Sequence, residues 1–248
     1  MSSQAALVPA SSGLSQFERV ADTFVAPSKT FADILRDASW WLPLILLIVS
    51  STAATWFVQK EVGFDRVYMN QLHSSPAQED RINGLPPDQK ARAVEMGVKF
   101  SAIFGYALPV LIVIFLAIYA LILWASFNFG LGAQTTYWQV FAVTFYAALP
   151  YIIQSVLIIL TVQFGGNAEA FDSKNPVGTN PAYYLPDAAG WLKGLLASFD
   201  VIKLWAEVLQ VIGMAIIAKK TILQSAVIVG IFWLLGVIAG TVGGAFSG

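Results

Sequence analysis

Four polar side chains stand inside one apolar stretch of this chain. The segment Phe199–Lys220 reads FDVIKLWAEVLQVIGMAIIAKK, and Asp200, Lys203, Glu207 and Gln210 interrupt residues otherwise apolar from Val201 to Ala218. On a helix, at about 100° per residue, Asp200, Lys203 and Glu207 fall within about 60° of one another, and Gln210 extends the stripe. Trp205, Leu209 and Gly213 occupy the opposite side, and Lys219 and Lys220 close the segment where cations suit a helix C-terminus and a membrane–water boundary. A charged stripe on an apolar span must face protein or water, not lipid. Two chemistries follow. Lys203 and Glu207 pair four residues apart, with Asp200 at the helix entrance, or the stripe lines the polar path of a transporter, channel or lipid-moving protein. The ion pair is the preferred reading, because Lys203 can snorkel and pairing relieves much of the cost of a buried charge. A path would need polar groups facing it, and span three offers only Thr144, Gln154, Ser155 and Thr161.

Other chemistry is sparse. With no cysteine there is no thiol nucleophile, thiolate metal site or disulfide, and the one histidine, His73, reads as a solvated loop residue. Asp172, Asn175 and Asn180 lack the spacing and the bidentate Glu of a calcium loop. The run NFGLGAQTT at 128–136 has glycines but no phosphate-binding Lys and no preceding strand. No nucleophile–base pair, metal set or cofactor loop emerges, so the reading is not an enzyme, with no cofactor. A net charge of -1 and a pI near 5.8 give no reason to expect nucleic acid as a partner.

The elements that must position the stripe are membrane spans. The 248 residues are 57% hydrophobic and 12% charged, with a mean hydropathy of +0.67, far more apolar than a soluble domain. The apolar residues gather into runs of about 20, the length that crosses a hydrocarbon core. The expectation is an all-α integral membrane protein, a five-span helical bundle with spans at about 40–58, 98–127, 137–162, 201–218 and 222–246. Residues 1–39 form the tail and amphipathic helices, and 40–248 form the membrane domain. Residues 1–16 lack the basic and apolar regions of a signal peptide, so the first span is expected to direct insertion. Phe17, Val20, Ala21 and Phe24, then Phe31, Ile34, Leu35 and Ala38, recur at helical spacing on either side of Pro27. Thr30 and Asp33 read as N-cap and N3 of the second short helix. These helices lie along the membrane surface or pack on the ends of the bundle.

Trp40 and Trp41 anchor span one, whose helix is expected to run on toward His73. Ser75 and Gln78 read as a capping box, Gly84 as a stop, and Pro86-Pro87-Asp88 as the next start. Residues 59–97, with balanced charge, read as a helical segment outside the membrane. Pro109 in span two and Pro150 in span three are expected to bend their helices, which either opens a cavity or, as preferred, lets them pack. In the loop 163–200 the aromatics Phe171, Tyr183, Tyr184 and Trp191 are spaced to touch a membrane face, and 190–198 reads as an interfacial helix. Gly236, Gly240 and Gly244, four apart in span five, permit close helix approach, preferably within one subunit.

Pro27 and Phe31 before Trp41-Leu42-Pro43, then TTYWQVFAVTFYAALPYI (135–152) and FDVIKLWAEVLQVIGMAII (199–217), resemble the Yip family, the Ypt/Rab-interacting-protein domain. The resemblance runs from about Pro27 to Phe246. It is most specific at Ala147, Leu149 and Pro150, and at Asp200, Trp205, Leu209 and Gly213. It implies a helical membrane domain with a cytosolic N-terminus and the C-terminus across the membrane. A count of Lys and Arg on each side favours the opposite orientation, but most of the excess sits in the single segment 59–97. Eukaryotic relatives act in vesicle trafficking, bind small GTPases and associate with one another. The short tail and the large 59–97 segment look more like bacterial members, and small GTPase binding is not carried over. The partners this implies are the lipid bilayer and other membrane proteins or a second copy of the chain, in a bacterial plasma membrane. The function expected is non-enzymatic membrane organisation or binding of membrane proteins and lipid.

Overall fold

The computed structural model describes residues 13–165 and 171–247. Most of the signal-peptide reading of residues 1–16, and part of the loop 163–200, lie outside them. The described residues form an all-α bundle with no strand, and five of its helices are long and apolar enough to cross a membrane. In chain order the helices are α1 (Gln16–Val25), α2 (Pro27–Ile34), α3 (Trp41–Glu61), α4 (Phe64–His73), α5 (Pro76–Asn83) and α6 (Pro87–Ala125). They continue with α7 (Tyr137–Ala147), α8 (Pro150–Phe164), α9 (Gly190–Ala197), α10 (Val201–Ala218) and α11 (Ile222–Ser247).

The centre of the bundle is α7. Eight successive residues, Val140–Ala147, are buried, the pattern of a helix apolar on every side. Around it sit α6, α10 and α2, while α8 carries the same span onward against α3. The span is not one helix. It breaks at Ala148 and Leu149 and restarts with Pro150 at the first helical position, where its missing N–H costs nothing. Pro109, by contrast, sits inside the continuous α6. At 39 residues, α6 is about 58 Å long against a hydrocarbon core of about 30 Å, so its charged start stands outside with α4 and α5.

The two N-terminal helices depart from a surface-lying arrangement. Ser15 and Glu18 form a capping box that starts α1, and the Ser15 backbone N–H holds the Glu18 carboxyl below its usual range. α2 begins at Pro27, three residues before the cap expected at Thr30. Thr30 is instead buried inside the helix, where its hydroxyl donates 2.8 Å to the Arg19 carbonyl oxygen. α2 is wedged into the bundle against α10 and α7, and Phe31 and Ile34 are fully buried. Of the two arrangements open to amphipathic helices, packing on the bundle is the one adopted.

Arg19, a surface charge by its sequence, is 0% exposed. Its Nη2 lies 2.6 Å from an Asp33 carboxylate oxygen and 3.5 Å from Asp37, and its Nε donates 2.7 Å to Asp33. Arg36 closes on Asp33 from the exposed side at 2.8 Å. The Arg36 hydrogen bond first, and Arg19 after it, keep the Asp33 carboxyl below the ordinary carboxylate range.

Other local expectations shift for identifiable reasons. The helix after span one stops at Val62, because Gly63 takes φ +85°, a left-handed turn that a glycine accepts without strain. Ser75 is the N-cap of α5, but its side chain makes no capping bond, so the box with Gln78 is not formed. Phe171 is buried against Val62 and Val67 and does not face the membrane, whereas Tyr183, Tyr184 and Trp191 are exposed. A π-turn at Ser126–Gly130 extends α6 into the 128–136 connection. There Asn128 accepts from the Thr135 N–H at 2.9 Å and donates to its carbonyl at 2.9 Å. α9 forms where the interfacial helix is expected. It packs along the C-terminal half of α11. A Cβ added to Gly244 would lie 2.2 Å from the Gly190 carbonyl oxygen, whereas one on Gly240 would meet Gly194 at an ordinary 3.5 Å and one on Gly236 meets nothing. The three glycines therefore differ in how closely they are approached, and the approach is to α9 of the same chain.

Candidate functional site: an intramembrane cavity on α10

Asp200 leaves the stripe. It is buried at the N-cap of α10, where one carboxylate oxygen accepts the Ile202 N–H at 2.9 Å and the Lys203 N–H at 3.1 Å. The other oxygen accepts from the Thr179 hydroxyl and, at 3.4 Å, from the Asn180 amide. Asp200 thus caps the helix and ties the preceding loop to it, which is why Asp suits this position. Asn180 and Asn175 exchange amide bonds in the same loop, and Asp172 accepts from the Lys174 N–H. His73 is exposed and sits 2.8 Å from Glu79.

Lys203, Glu207 and Gln210 remain together, on successive turns of α10. They line a cavity of about 420 Å³, between α10, the middle of α6, the α7–α8 break and α11. Tyr119, Thr144, Tyr151 and Trp233 face them across it. Of the polar residues in span three, Thr144 lines the cavity, and its hydroxyl is spent on the Val140 carbonyl at 2.9 Å. The break before Pro150 positions Ala147, Ala148 and Tyr151 as one wall.

The expected ion pair is not made. Among the described residues neither a contact ion pair nor a hydrogen bond joins Lys203 to Glu207, and Glu207 Oε2 is buried without a partner. Gln210 Nε2, Tyr119 Oη and Trp233 Nε1 are buried without partners as well. Of the six such side-chain atoms among the described residues, these four belong to the lining of this one cavity. An unpaired buried polar group costs about 1–3 kcal/mol, and a charged one more, so four at one place are an expensive arrangement. A second cavity of about 1110 Å³ opens between the ends of α3, α8, α9 and α11. It is larger, but none of those six atoms lies in it, so the chemistry points to the smaller one.

The apolar rim of the small cavity is open. Phe115 and Ile118 on α6 are 67% and 53% exposed, and α6 meets α11 through an edge-to-face contact of Tyr119 with Phe232 at 6.2 Å. The mouth therefore opens sideways, between two membrane helices.

The helical period of α10 does not point to Tyr119 or Trp233, which stand on other spans. One signal was available: both stand mid-span, away from the interfacial belts where Tyr and Trp usually collect. Arg19 carried no such signal, since the docking of α1 on α2 and on the bundle buries it.

With this geometry in hand, comparison with protein families is decisive. The Yip1 domain model matches residues 21–243. The chain belongs to the Yip1 domain family. It is a multi-pass integral membrane protein, and the match takes in every helix that lines the cavity. Neither the comparison with curated proteins nor that with solved structures returned a match.

Proposed function

We propose that this Yip-family protein is non-enzymatic and acts by holding a membrane lipid in the sideways-opening cavity of α10. One observation carries the reading: four orphaned polar atoms converge on a cavity whose mouth is apolar. A molecule with a polar head and an apolar body satisfies both. The volume falls in the range of about 300–1,000 Å³ typical of ligand sites. The alternative, a transporter or lipid-moving protein, needs the polar groups to continue across the membrane. They extend only from Lys203 to Gln210, about 10 Å along the axis. Beyond them Met214, Ile217 and Ala218 are apolar and buried. That favours holding over conduction.

The test is lipid retention by protein purified in a mild detergent. The parent is expected to retain near-equimolar phospholipid after exhaustive washing. Glu207→Leu should lose most of it while melting at the same or a higher temperature, because removing an unpaired buried carboxylate relieves a cost. A washed parent free of phospholipid would overturn the proposal.

The orientation we propose has the N-terminus in the cytosol of a bacterium and the C-terminus across the plasma membrane, as the family resemblance implies. A reporter fused after Lys220 should be active in the cytosol and one inserted at Ser75 should not. Cytosolic activity at Ser75 reverses the assignment.

A further inference from the structure

We propose, resting on the lipid-holding reading above, that the headgroup selected is an ethanolamine phosphate, one carrying both a phosphate and a primary ammonium. The donors and acceptors left free in the cavity decide this. Tyr119 Oη, Trp233 Nε1 and Gln210 Nε2 all offer hydrogens, and Lys203 adds a cation with no contact ion-pair partner among the described residues. Of these, Lys203 and Trp233, whose ring stacks edge-on against Phe199 at the N-terminal end of α10, form a site for an anion. Against them stands one orphaned acceptor, Glu207 Oε2. With Glu207 ionised against a bound cation, Lys203 and Glu207 bring one charge of each sign, and the complement is a headgroup that is itself a zwitterion.

The axial order sets how it lies. Lys203 is in the first turn of α10 and Glu207 is four residues deeper, a step of about 6 Å. A phosphate against Lys203 and the Trp233 N–H places an ammonium, two carbons away, at the depth of Glu207. A charge inside a membrane persists when it is paired, and an ammonium with N–H donors supplies both the charge and the hydrogen bond that Glu207 lacks.

Other headgroups match less well. A quaternary choline has the charge but no N–H, and it leaves Glu207 Oε2 without a hydrogen bond behind three methyl groups. A glycerol phosphate brings hydroxyls to Glu207 but a net negative charge to a cavity whose own charges cancel. A water-soluble ethanolamine phosphate has the right head, but it lacks the apolar body that the exposed Phe115 and Ile118 rim would contact.

The experiment titrates delipidated protein in detergent with phosphatidylethanolamine, phosphatidylcholine and phosphatidylglycerol of identical chains, reading bound lipid by native mass spectrometry. Glycerophosphoethanolamine is added as a soluble competitor. The parent should bind the ethanolamine lipid about tenfold more tightly than the choline lipid, the worth of one charge-assisted hydrogen bond. Glu207→Gln should weaken both lipids and abolish the difference between them, because the ethanolamine lipid loses a charge attraction and a hydrogen bond and the choline lipid only the attraction. Tyr119→Phe, which keeps the ring against Phe232, should weaken all three alike. Equal binding of ethanolamine and choline lipids by the parent overturns this inference and leaves lipid holding intact. Binding of none overturns the lipid-holding reading itself. Competition by glycerophosphoethanolamine at lipid-like concentration keeps the headgroup and overturns lipid as its source. The parent's preference needs no variant, so a misfolded mutant does not rescue the idea.

Discussion

Arg19→Met lowers the stability of the detergent-solubilised protein by about 3–5 kcal/mol, the cost of breaking a buried ion pair from one side. Methionine fills the volume but leaves the Asp33 carboxylate, 11% exposed, with Arg36 alone to face it. The loss falls first on α1, since Arg19 links it to Asp33 on α2 and to Asp37 in the turn that follows. Thermal melting and the rate of trypsin cleavage after Lys29 measure it. Replacing Asp33 by Leu together with Arg19→Met recovers most of the loss, because the uncompensated charge goes as well. The effect depends on pH with a definite sign. Asp33 has its folded pKa lowered by Arg36 and Arg19, so its contribution is present above the unfolded carboxylate value of about 3.9 and fades as pH falls through the folded value. Parent and Arg19→Met should therefore converge in strong acid and differ fully at neutral pH. Identical melting at pH 7 would mean that the buried Arg19 stabilises nothing.

Phe31→Ala costs about 3–5 kcal/mol, the range for emptying a fully buried aromatic site. Phe31 is 0% exposed and sits where α2 meets α10 and α7. The seat exists because residue 213 has no side chain: a Cβ on Gly213 would stand 3.0 Å from the Phe31 ring and 2.4 Å from Val143. The alanine variant should release the α1–α2 pair before the five spans melt. Cleavage after Arg19, buried in the parent, is the specific readout, because it becomes fast only when α1 has left the bundle. Gly213→Leu should produce the same early release from the other side of the contact. Unchanged cleavage in both variants would show that the N-terminal helices are held by something other than this seat.

The class of this protein was legible from its residues alone. Five apolar runs of membrane length need no tertiary information, since a chain that cannot satisfy its backbone in lipid must form helices there. The face that Lys203, Glu207 and Gln210 share on α10 follows for the same reason: helical period converts a spacing of three and four into one face. Start and stop residues such as Pro87 and Gly84 also act locally, and they fall where the helices begin and end.

What the residues could not decide is which groups meet across helices. Asp200 caps α10 through its own neighbours, but only the fold of the 171–199 segment brings Thr179 and Asn180 to its second oxygen. Lys203 and Glu207 stand at ion-pair spacing, yet both line the cavity without a contact pair between them. Thr30 reads as a cap by its neighbours in sequence. It becomes a buried donor because α1 folds back and presents the Arg19 carbonyl oxygen. Tyr119 and Trp233 lie more than a hundred residues apart, and each is an ordinary aromatic of its own span until α6 and α11 bring both to the cavity that Glu207 lines. Period and capping are properties of a few consecutive residues, whereas burial and pairing depend on surfaces contributed by distant ones.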